Sequence, residues 1–290
     1  MINHAYLAAG LIAGSVLASA EPASAAGETL ITHAKALAGN VTPGDAAGYP
    51  VTISIPGKFQ LASNLFVAAD KIGIQVTSAY VTIDLNGFLM QGSNVAWYGI
   101  TGGVESVVVT NGTIAKFKFD GINSTGEDWL FEGLRISQNG RDGIVCGPRT
   151  QVRDNTITRQ GRNGINCVAG LIEGNVADVN AAWGISVTNG AIINNAVNAN
   201  GAGGVTLTRG LVAGNEVTNN TGIGIGTSLG SVSGNAILGN TGFGVYGGAT
   251  GVSALGGNTL FSNNGGNQQI GGLAVKMEPD ACVPDCQYAP

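Results

Sequence analysis

Charged residues are scarce in this sequence, with 13 basic and 18 acidic side chains among 290 residues. Hydrophobic residues make up 44% of the chain. It is therefore neither a disordered chain, which requires low hydrophobicity, nor a charge-rich coiled coil. The net charge of −5 offers no basic footprint for nucleic acid, and we predict no nucleic-acid partner.

Proline and histidine are also rare, whereas glycine is abundant, with 48 residues. Collagen needs glycine at every third position and many prolines, so the 8 prolines exclude it, and glycine must mark turns. The only histidines are His4 and His33, so the rest of the chain supplies no catalytic histidine. The sequence contains no phosphate-binding loop, zinc-ligand spacing, serine elbow or calcium-binding nonapeptide, and we predict neither a metal nor a cofactor.

Long apolar runs are missing except at residues 5–20, which are uncharged and rich in alanine and leucine. Small-residue cleavage patterns follow at 18–20 and 23–25. This pattern predicts a signal peptide over residues 1–26, although its start lacks the usual lysine or arginine. A membrane anchor is the alternative, but the run is shorter than the roughly 20 residues that span a bilayer. We therefore expect a secreted or periplasmic protein with no membrane partner after cleavage.

A period of 20 residues runs through the second half of the sequence. Two columns of asparagine and one column of glycine followed by an aliphatic residue repeat at this spacing: Asn155, Asn175, Asn195, Asn215 and Asn235; Asn180, Asn200, Asn220 and Asn240; Gly164, Gly184, Gly204, Gly224 and Gly244. The β-branched segments between them are too short for helices and too often interrupted for a sandwich. Winding the chain once per repeat pairs each segment in parallel with its equivalent about 4.8 Å away. The sequence thus predicts an all-β, single-stranded parallel β-helix of about nine coils.

The recurring asparagines and glycines have expected roles in such a coil. Asparagine at a fixed turn position tolerates positive φ, and its amide can bond to the asparagine one coil away, which forms a ladder. Glycine before each strand is expected to permit the bend that closes the coil. Because open ends would aggregate, we assign an N-terminal cap to residues 27–72, the β-helix to 73–272 and a C-terminal tail to 273–290.

Three early segments add a family resemblance to the repeats: YPVTI at 49–53, PGKFQL at 56–61 and VTIDLNG at 81–87. Together with the repeats they resemble secreted bacterial right-handed parallel β-helix proteins of the pectin-lyase-like superfamily, including NosD-like members. The resemblance covers nearly all of the chain after residue 26 and implies right-handed coils. It also implies a polysaccharide partner, because the superfamily contains lyases, glycoside hydrolases and uronate epimerases. However, the Gly-His-Gly and Asp-Pro-His signatures of such enzymes are missing.

Charge concentrates in the middle coils, where six of the seven arginines lie between Arg135 and Arg162. Aligned coils place a column of acidic residues beside a column of arginines. The predicted catalytic residues are Asp120, Asp142, Arg141 and Arg162, and the predicted substrate-binding residues are Asn123, Asn163, Asn166 and Trp183. Two carboxylates on adjacent coils fit the acid and base of a glycosidase, and a neighbouring arginine fits neutralisation of a uronate carboxylate. Charged residues flanking a turn on a solvated surface are the simpler interpretation, because fold does not decide function.

Two functions fit these observations. One is an exported β-helix that binds polysaccharide on an outer face, with cleavage or epimerisation as its catalytic form. The other is a non-catalytic structural or adhesion rod of the cell envelope, suggested by the charge-poor coils after residue 179. The sequence does not specify an oligomeric state.

The four cysteines fit an oxidising compartment. Cys282 and Cys286 are predicted to form a small loop disulfide. Cys146 and Cys167 are one coil apart and point inward, and either a disulfide between coils or two stacked thiols fits this spacing. On the surface, the alignment of Glu132, Arg153 and Glu173 predicts a ladder of ion pairs.

Overall fold

A computed structural model describes residues 27–248, 253–283 and 286. The predicted signal peptide over 1–26 lies outside the described residues. The described strands, in chain order, are β1 (Thr29–Ile31), β2 (Val51–Ile53), β3 (Gly57–Leu61), β4 (Leu65–Phe66), β5 (Ile72–Val76), β6 (Val81–Asp84), β7 (Leu89–Gln91), β8 (Tyr98–Gly102), β9 (Val107–Ala115), β10 (Ile122–Ser124), β11 (Leu130–Ser137), β12 (Ile144–Cys146), β13 (Thr150–Arg153), β14 (Thr156–Thr158), β15 (Ile165–Glu173), β16 (Val176–Asp178), β17 (Trp183–Ile193), β18 (Ala196–Asn198), β19 (Gly203–Ala213), β20 (Glu216–Thr218), β21 (Ile223–Ser233), β22 (Ala236–Leu238), β23 (Val245–Gly247), β24 (Ser253–Gly256), β25 (Thr259–Phe261), β26 (Ile270–Gly272), β27 (Ala274–Lys276) and β28 (Ala281–Val283). One helix, α1 (His33–Ala38), and one 3₁₀ turn (Asn264–Gly266) accompany them.

These strands form three parallel faces, and each turn of the chain passes through faces A, B and C in that order. Face A comprises β2, β5, β8, β10, β12, β23, β26 and the first halves of β15, β17, β19 and β21. Face B comprises β1, β3, β6, β13, β24, β27, the second halves of those four long strands and the first halves of β9 and β11. Face C comprises β4, β7, β14, β16, β18, β20, β22, β25, β28 and the second halves of β9 and β11.

Aliphatic side chains stack in register inside the three faces. Ile144 pairs with Ile165, which pairs with Ile185, and the column continues through Val205 to Ile225. All five are fully buried, because alternate residues of a strand point to the same side. The predicted parallel β-helix is confirmed, but it has about 11 turns rather than nine.

The additional turns come from both ends of the chain. β1 pairs with β3 and β2 pairs with β5, so strand stacking begins within the segment predicted as a cap. β27 and β28 likewise continue the stack within the predicted tail. α1 and irregular turns separate the first strands, and this irregular spacing hides their register from a search for a fixed period. Within the described residues, no helix is long and apolar enough to cross a membrane.

The asparagine ladders form at two of the three corners. Between faces B and C, Asn175 Oδ1 accepts hydrogen bonds from both the backbone N–H (3.0 Å) and the Nδ2 (2.9 Å) of Asn155, and Asn175 Nδ2 donates to Val152 O at 2.8 Å. The same pattern repeats through Asn258, which ends on Asp280. The second ladder lies between faces C and A and begins with Asn139 and Gln160. Its members are buried and fully paired, which an amide in a protein interior requires.

Positive φ falls on the residue before each ladder position, not on the ladder asparagine as predicted. Asn194, Asn219 and Val179 have φ of 55–56°, and each is exposed whereas the following asparagine is buried. The left-handed residue turns the chain so that the next side chain enters the interior.

The repeating glycines also have a different role from the predicted bend. Gly164 has no positive φ. A Cβ on Gly164 would lie 2.6 Å from Gly184 O and 2.8 Å from Asn180 Nδ2. Glycine is therefore required because the ladder amide and the next coil occupy the space of a side chain.

Both cysteine pairs form disulfides. Cys146 and Cys167 join β12 to β15 with a Cα–Cα distance of 4.6 Å. Of the two alternatives that the sequence allows, the structure therefore has the disulfide between coils and not two stacked thiols. Cys282 and Cys286 form the predicted small loop. Glu132, Arg153 and Glu173 are in register as predicted, but no ion pair within 4.0 Å joins them among the described residues. The surface alignment is therefore present without the ion pairs.

Replacing Asn200 with alanine tests the ladder. The change removes the acceptor of the buried backbone N–H of Asn180 and of one Nδ2 hydrogen of Asn180, whereas Nδ2 keeps its bond to Ile157 O. Each unpaired donor costs about 1–3 kcal/mol. We expect Asn200→Ala to lower the free energy of unfolding by about 2–6 kcal/mol in chemical denaturation. Asn198→Ala on the partly exposed surface of face C is the control and should cost about 1 kcal/mol or less. Equal losses would contradict the structural role of the ladder.

Candidate functional site

A row of cationic and aromatic residues follows the corner between faces C and A. Backbone N–H groups connect successive coils: Trp97 N to Lys71 O (2.7 Å), Phe119 N to Trp97 O (2.9 Å), Arg141 N to Phe119 O (3.1 Å) and Arg162 N to Arg141 O (3.0 Å). We call Lys71, Trp97, Phe119, Arg141 and Arg162 the ridge. Five stacked positions at about 4.8 Å each extend roughly 19 Å along the axis.

The ring of Phe119 lies beside two cations and a second aromatic ring. Arg141 Cζ lies 5.9 Å from the centroid of the Phe119 ring, and Lys118 Nζ lies 5.5 Å from the same ring. The ring of Tyr98 lies 5.3 Å from Phe119 on the other side of the corner. A cation within about 6 Å of an aromatic face is attracted to it, so the Phe119 ring attracts both Arg141 and Lys118.

The predicted acidic pair lies behind the ridge and not on the surface. Asp120 and Asp142 follow Phe119 and Arg141 in sequence, and their relative exposures are 0% and 1%. Asp120 Oδ1 accepts the backbone N–H of Asp142 at 3.0 Å, and Asp142 Oδ1 accepts the backbone N–H of Asn163 at 2.9 Å. The two carboxylates therefore form a third ladder between coils.

The remaining carboxylate oxygens are also occupied. Asn123 Nδ2 donates to Asp120 Oδ2 at 2.7 Å, and Asn166 Nδ2 donates to Asp142 Oδ2 at 3.2 Å. These two asparagines were predicted to bind substrate, and they are half-buried. Each one has its side-chain amide directed to a carboxylate of the ladder.

The arginines sit over this ladder from the solvent side. Arg141 Nε is 3.9 Å from Asp120 Oδ1, and Arg162 Nε is 4.0 Å from Asp142 Oδ1, while the side chains of both arginines are more than two-fifths exposed. At these distances the guanidinium groups are attracted to the carboxylates but are not locked by short hydrogen bonds. Each arginine keeps donors directed to solvent.

Burial raises the pKa of Asp120 from its ordinary value of 3.8. Desolvation is the largest cause, and the hydrogen bonds from Asn123 and Asp142 together with the charge of Arg141 act in the opposite direction. Because the charged form loses hydration on burial, the folded protein holds this proton more tightly than the unfolded chain does.

Asn163 and Trp183 complete the predicted set. Asn163 is buried and continues the carboxylate ladder, since its Oδ1 accepts the backbone N–H of Trp183 at 3.1 Å. Trp183 is half-buried at the start of β17, one coil beyond Arg162. The structure therefore brings all eight predicted residues to one edge of face A.

The site residues predicted from the sequence do not include Lys71, Trp97 and Phe119. Phe119 could have been found, because it precedes Asp120 as Arg141 precedes Asp142. Lys71 and Trp97 are 26 residues apart, so no fixed period aligns them with the later coils. Among the described residues, no cluster of three or more histidine, cysteine or acidic side chains could hold a metal ion.

The chemistry available at this edge is recognition of anions and of apolar ring faces. Guanidinium and ammonium groups pair with carboxylates, and exposed aromatic rings offer stacking surfaces. A general acid or base must approach the proton that it transfers, whereas the oxygens of Asp120 and Asp142 are covered by the stack. The exposed groups are the cations, the rings and, beside the first coils of the ridge, the carboxylate of Asp70, which accepts the indole N–H of Trp97 at 3.1 Å.

We expect the folded protein to tolerate asparagine at position 142 but to lose stability with alanine there. Asp142→Asn keeps an acceptor for the backbone N–H of Asn163, as Asn163 itself does for Trp183. We expect this change to alter the free energy of unfolding by less than about 1 kcal/mol. Asp142→Ala leaves that N–H buried and unpaired, and we expect a loss of about 1–3 kcal/mol. Denaturation of both variants checks this, and equal stabilities would refute the ladder role.

The raised pKa of Asp120 predicts a pH-dependent difference between wild type and Asp120→Asn. As pH rises above 3.8, the unfolded chain releases this proton before the folded protein does, so ionisation favours unfolding. We expect wild type to lose stability relative to Asp120→Asn until the folded carboxyl group has ionised, after which the difference is constant. Denaturation midpoints between pH 3 and pH 8 measure it, and a difference that grows in favour of wild type would contradict the shift.

Residues 72–210 match the model of the family described as the right handed beta helix region. The chain is similar to the Dettilon tailspike protein (gp208), with 16% identity and a TM-score of 0.63, over 84% of this chain and 56% of the tailspike chain. It is also similar to the A-module of the mannuronan C-5 epimerase AlgE6 of Azotobacter vinelandii, with 14% identity and a TM-score of 0.63, over 91% of this chain and 89% of that module.

The chain thus spans a little over half the length of the tailspike chain. No curated protein matches the sequence significantly. At 14–16% identity the structural likeness shows the fold alone. The parallel strands, the stacked interior columns and the match over 72–210 agree, and the fold of the protein is a right-handed parallel β-helix.

Proposed function

We propose that the protein binds acidic polysaccharide along the ridge. Arg141 and Arg162 pair with carboxylate or other anionic groups of successive sugars, and Phe119 and Trp97 offer their rings to the apolar faces of the sugars. The single observation that carries this proposal is the inward position of Asp120 and Asp142. Because both carboxylates are buried in the stack, the cations dominate the surface although the chain is acidic as a whole.

The asparagines and carboxylates predicted as site residues position the ridge in this proposal. Asp120 and Asp142 attract the guanidinium groups from below, and Asn123 and Asn166 hold the carboxylates in place. Binding, and not cleavage or epimerisation, is the function that this arrangement supports. A carboxylate acting on a sugar would have to leave the backbone N–H that it accepts in the ladder.

The comparisons and the disulfides support the same proposal. One structural neighbour is named for its action on mannuronan, a polymer of a uronic acid, and the other is a tailspike protein. The two disulfides, Cys146–Cys167 and Cys282–Cys286, fit an oxidising compartment. We therefore propose that the protein acts outside the cytoplasm, in the secreted or periplasmic location expected from the sequence.

Binding to polygalacturonate and to alginate tests the proposal, with dextran as an uncharged control polymer. We expect the double variant Arg141→Ala/Arg162→Ala to bind the two polyuronates about 30-fold more weakly, because each lost ion pair contributes about 1 kcal/mol. The salt dependence of binding should also decrease, since fewer counterions are exchanged. Isothermal titration calorimetry at several salt concentrations measures both quantities.

The matched control is Arg135→Ala/Arg159→Ala, which removes two exposed arginines associated with face C. It carries the same change of net charge and should bind nearly as wild type does. An equal loss in both double variants would show attraction to overall charge, and no loss in Arg141→Ala/Arg162→Ala would remove the ridge as the binding site.

A further inference from the structure

A depression lies on face A just beyond the last arginine of the ridge. Its volume is about 210 Å³, smaller than the roughly 300–1,000 Å³ of sites that enclose a drug-sized ligand. A single sugar ring is the scale of ligand that it fits. The principal lining residues are Trp183, Thr206, Thr208, Gly226, Ser228 and Tyr246.

A missing side chain creates the depression. The outward positions of Thr206, Gly226 and Tyr246 are in register on consecutive coils. Gly226 has no side chain to fill the space between its two neighbours. A Cβ at Gly226 would have no neighbouring heavy atom closer than 3.9 Å, so close packing does not require glycine at this position.

Two aromatic residues border the space. The indole of Trp183 extends from its own coil over Gly203, where a Cβ would collide with the ring. It reaches toward Gly226, where Cη2 lies 4.0 Å from the position of a Cβ. Tyr246 lies on the next coil beyond Gly226, with its ring 5.7 Å from that of Phe243. The open space at Gly226 in the depression thus lies between the indole of Trp183 and Tyr246.

Three polar side-chain groups that line the depression have no hydrogen-bond partner among the described residues. Within the described part of the chain, the indole N–H of Trp183 and the hydroxyl groups of Thr206 and Tyr246 make no hydrogen bond to protein. The site therefore combines aromatic surface with unused donors and acceptors.

Among the residues that the structure describes, none that lines this depression is charged. Between residues 179 and 275 the sequence contains only Arg209 and Glu216 as charged residues. Glu216 lies on face C, and Arg209 pairs on face B. The lining therefore offers no cationic partner for a carboxylate or a sulfate, in contrast to the ridge.

We propose that the depression binds an uncharged pyranose ring of the same polysaccharide whose acidic sugars lie along the ridge. This inference rests on the proposed function and narrows it, because a ligand that meets both surfaces is a heteropolysaccharide with acidic and uncharged sugars. Trp183 stacks on the ring face, and the free indole N–H and hydroxyl groups bond to the sugar hydroxyls. The two surfaces are continuous, since Arg162 precedes Asn163, and Asn163 bonds to the backbone of Trp183.

Filling the depression with Gly226→Val tests the inference. Valine favours strands, and the space around a Cβ is open, so the variant is expected to fold. The control is Ala191→Val, which adds the same branched side chain at an outward strand position of face B, in register with Leu171 and Leu211. The probes are hyaluronan, which alternates acidic and uncharged sugars, and polygalacturonate, in which every sugar is acidic.

We expect Gly226→Val to weaken binding of hyaluronan about tenfold and to leave binding of polygalacturonate unchanged, while Ala191→Val changes neither. Equal hyaluronan affinities of Gly226→Val and Ala191→Val would overturn the inference. A failure of the ridge proposal is recognised separately, as polygalacturonate binding that does not depend on Arg141 and Arg162.

A second readout reports on Trp183 directly. The protein has three tryptophans, and the indole N–H signal of Trp183 in a ¹H–¹⁵N spectrum is identified by its loss in Trp183→Phe. Methyl glycosides of glucose, mannose, galactose and N-acetylglucosamine at millimolar concentration serve as probes. We expect at least one of them to shift this signal in wild type and not in Gly226→Val. No shift with any of the four would refute an uncharged-sugar site.

Discussion

Hydrogen bonding between polar side chains of successive coils is the constraint on which this structure depends. In the regular part of the two amide ladders, a buried Oδ1 accepts two donors from the preceding coil, as Asn200 does from Asn180. A coil that shifted along the axis would leave these donors unpaired in the interior. Extra residues must therefore lie away from the ladders. Between Asn235 and Asn258, the spacing widens to 23 residues, and the added length falls between β23 and β24.

In the carboxylate ladder the hydrogen bonds run in the opposite direction along the axis, and this ladder decides which charged groups reach the surface. In the amide ladders the donor belongs to the earlier coil, whereas Asp120 in the earlier coil accepts from Asp142 in the later one. This geometry keeps both carboxylates inside and leaves Arg141 and Arg162 outside. The backbone N–H groups of the next coil need acceptors at this corner, and the two aspartates supply them from inside. The arginines therefore remain on the surface, although the protein is acidic as a whole.

Two chemistries follow one another along a single edge of the β-helix. The ridge combines cations with aromatic rings, whereas the depression at Gly226 combines aromatic rings with hydroxyl groups and no charge. Because each coil contributes equivalent positions at about 4.8 Å, a change of residue type from coil to coil becomes a change of surface along the axis. An extended polymer is the type of ligand that can contact both regions at once.

The amino-acid pattern alone predicts the parallel β-helix, its inward aliphatic columns and the ladder asparagines between Asn155 and Asn240. These features follow from a fixed 20-residue spacing, which places equivalent residues above one another whatever the details of the turns. It also located the edge that carries Asp120, Asp142 and the two arginines.

The direction in which Asp120 and Asp142 face depends on contacts between coils, because the alternation of inward and outward side chains applies to strands and not to corners. Asp120 and Asp142 turn inward since backbone N–H groups of the next coil need acceptors there. The tertiary structure also decided the early coils and the depression at Gly226. Irregular spacing hides the register of β1 to β3, and the depression exists only relative to the side chains of neighbouring coils.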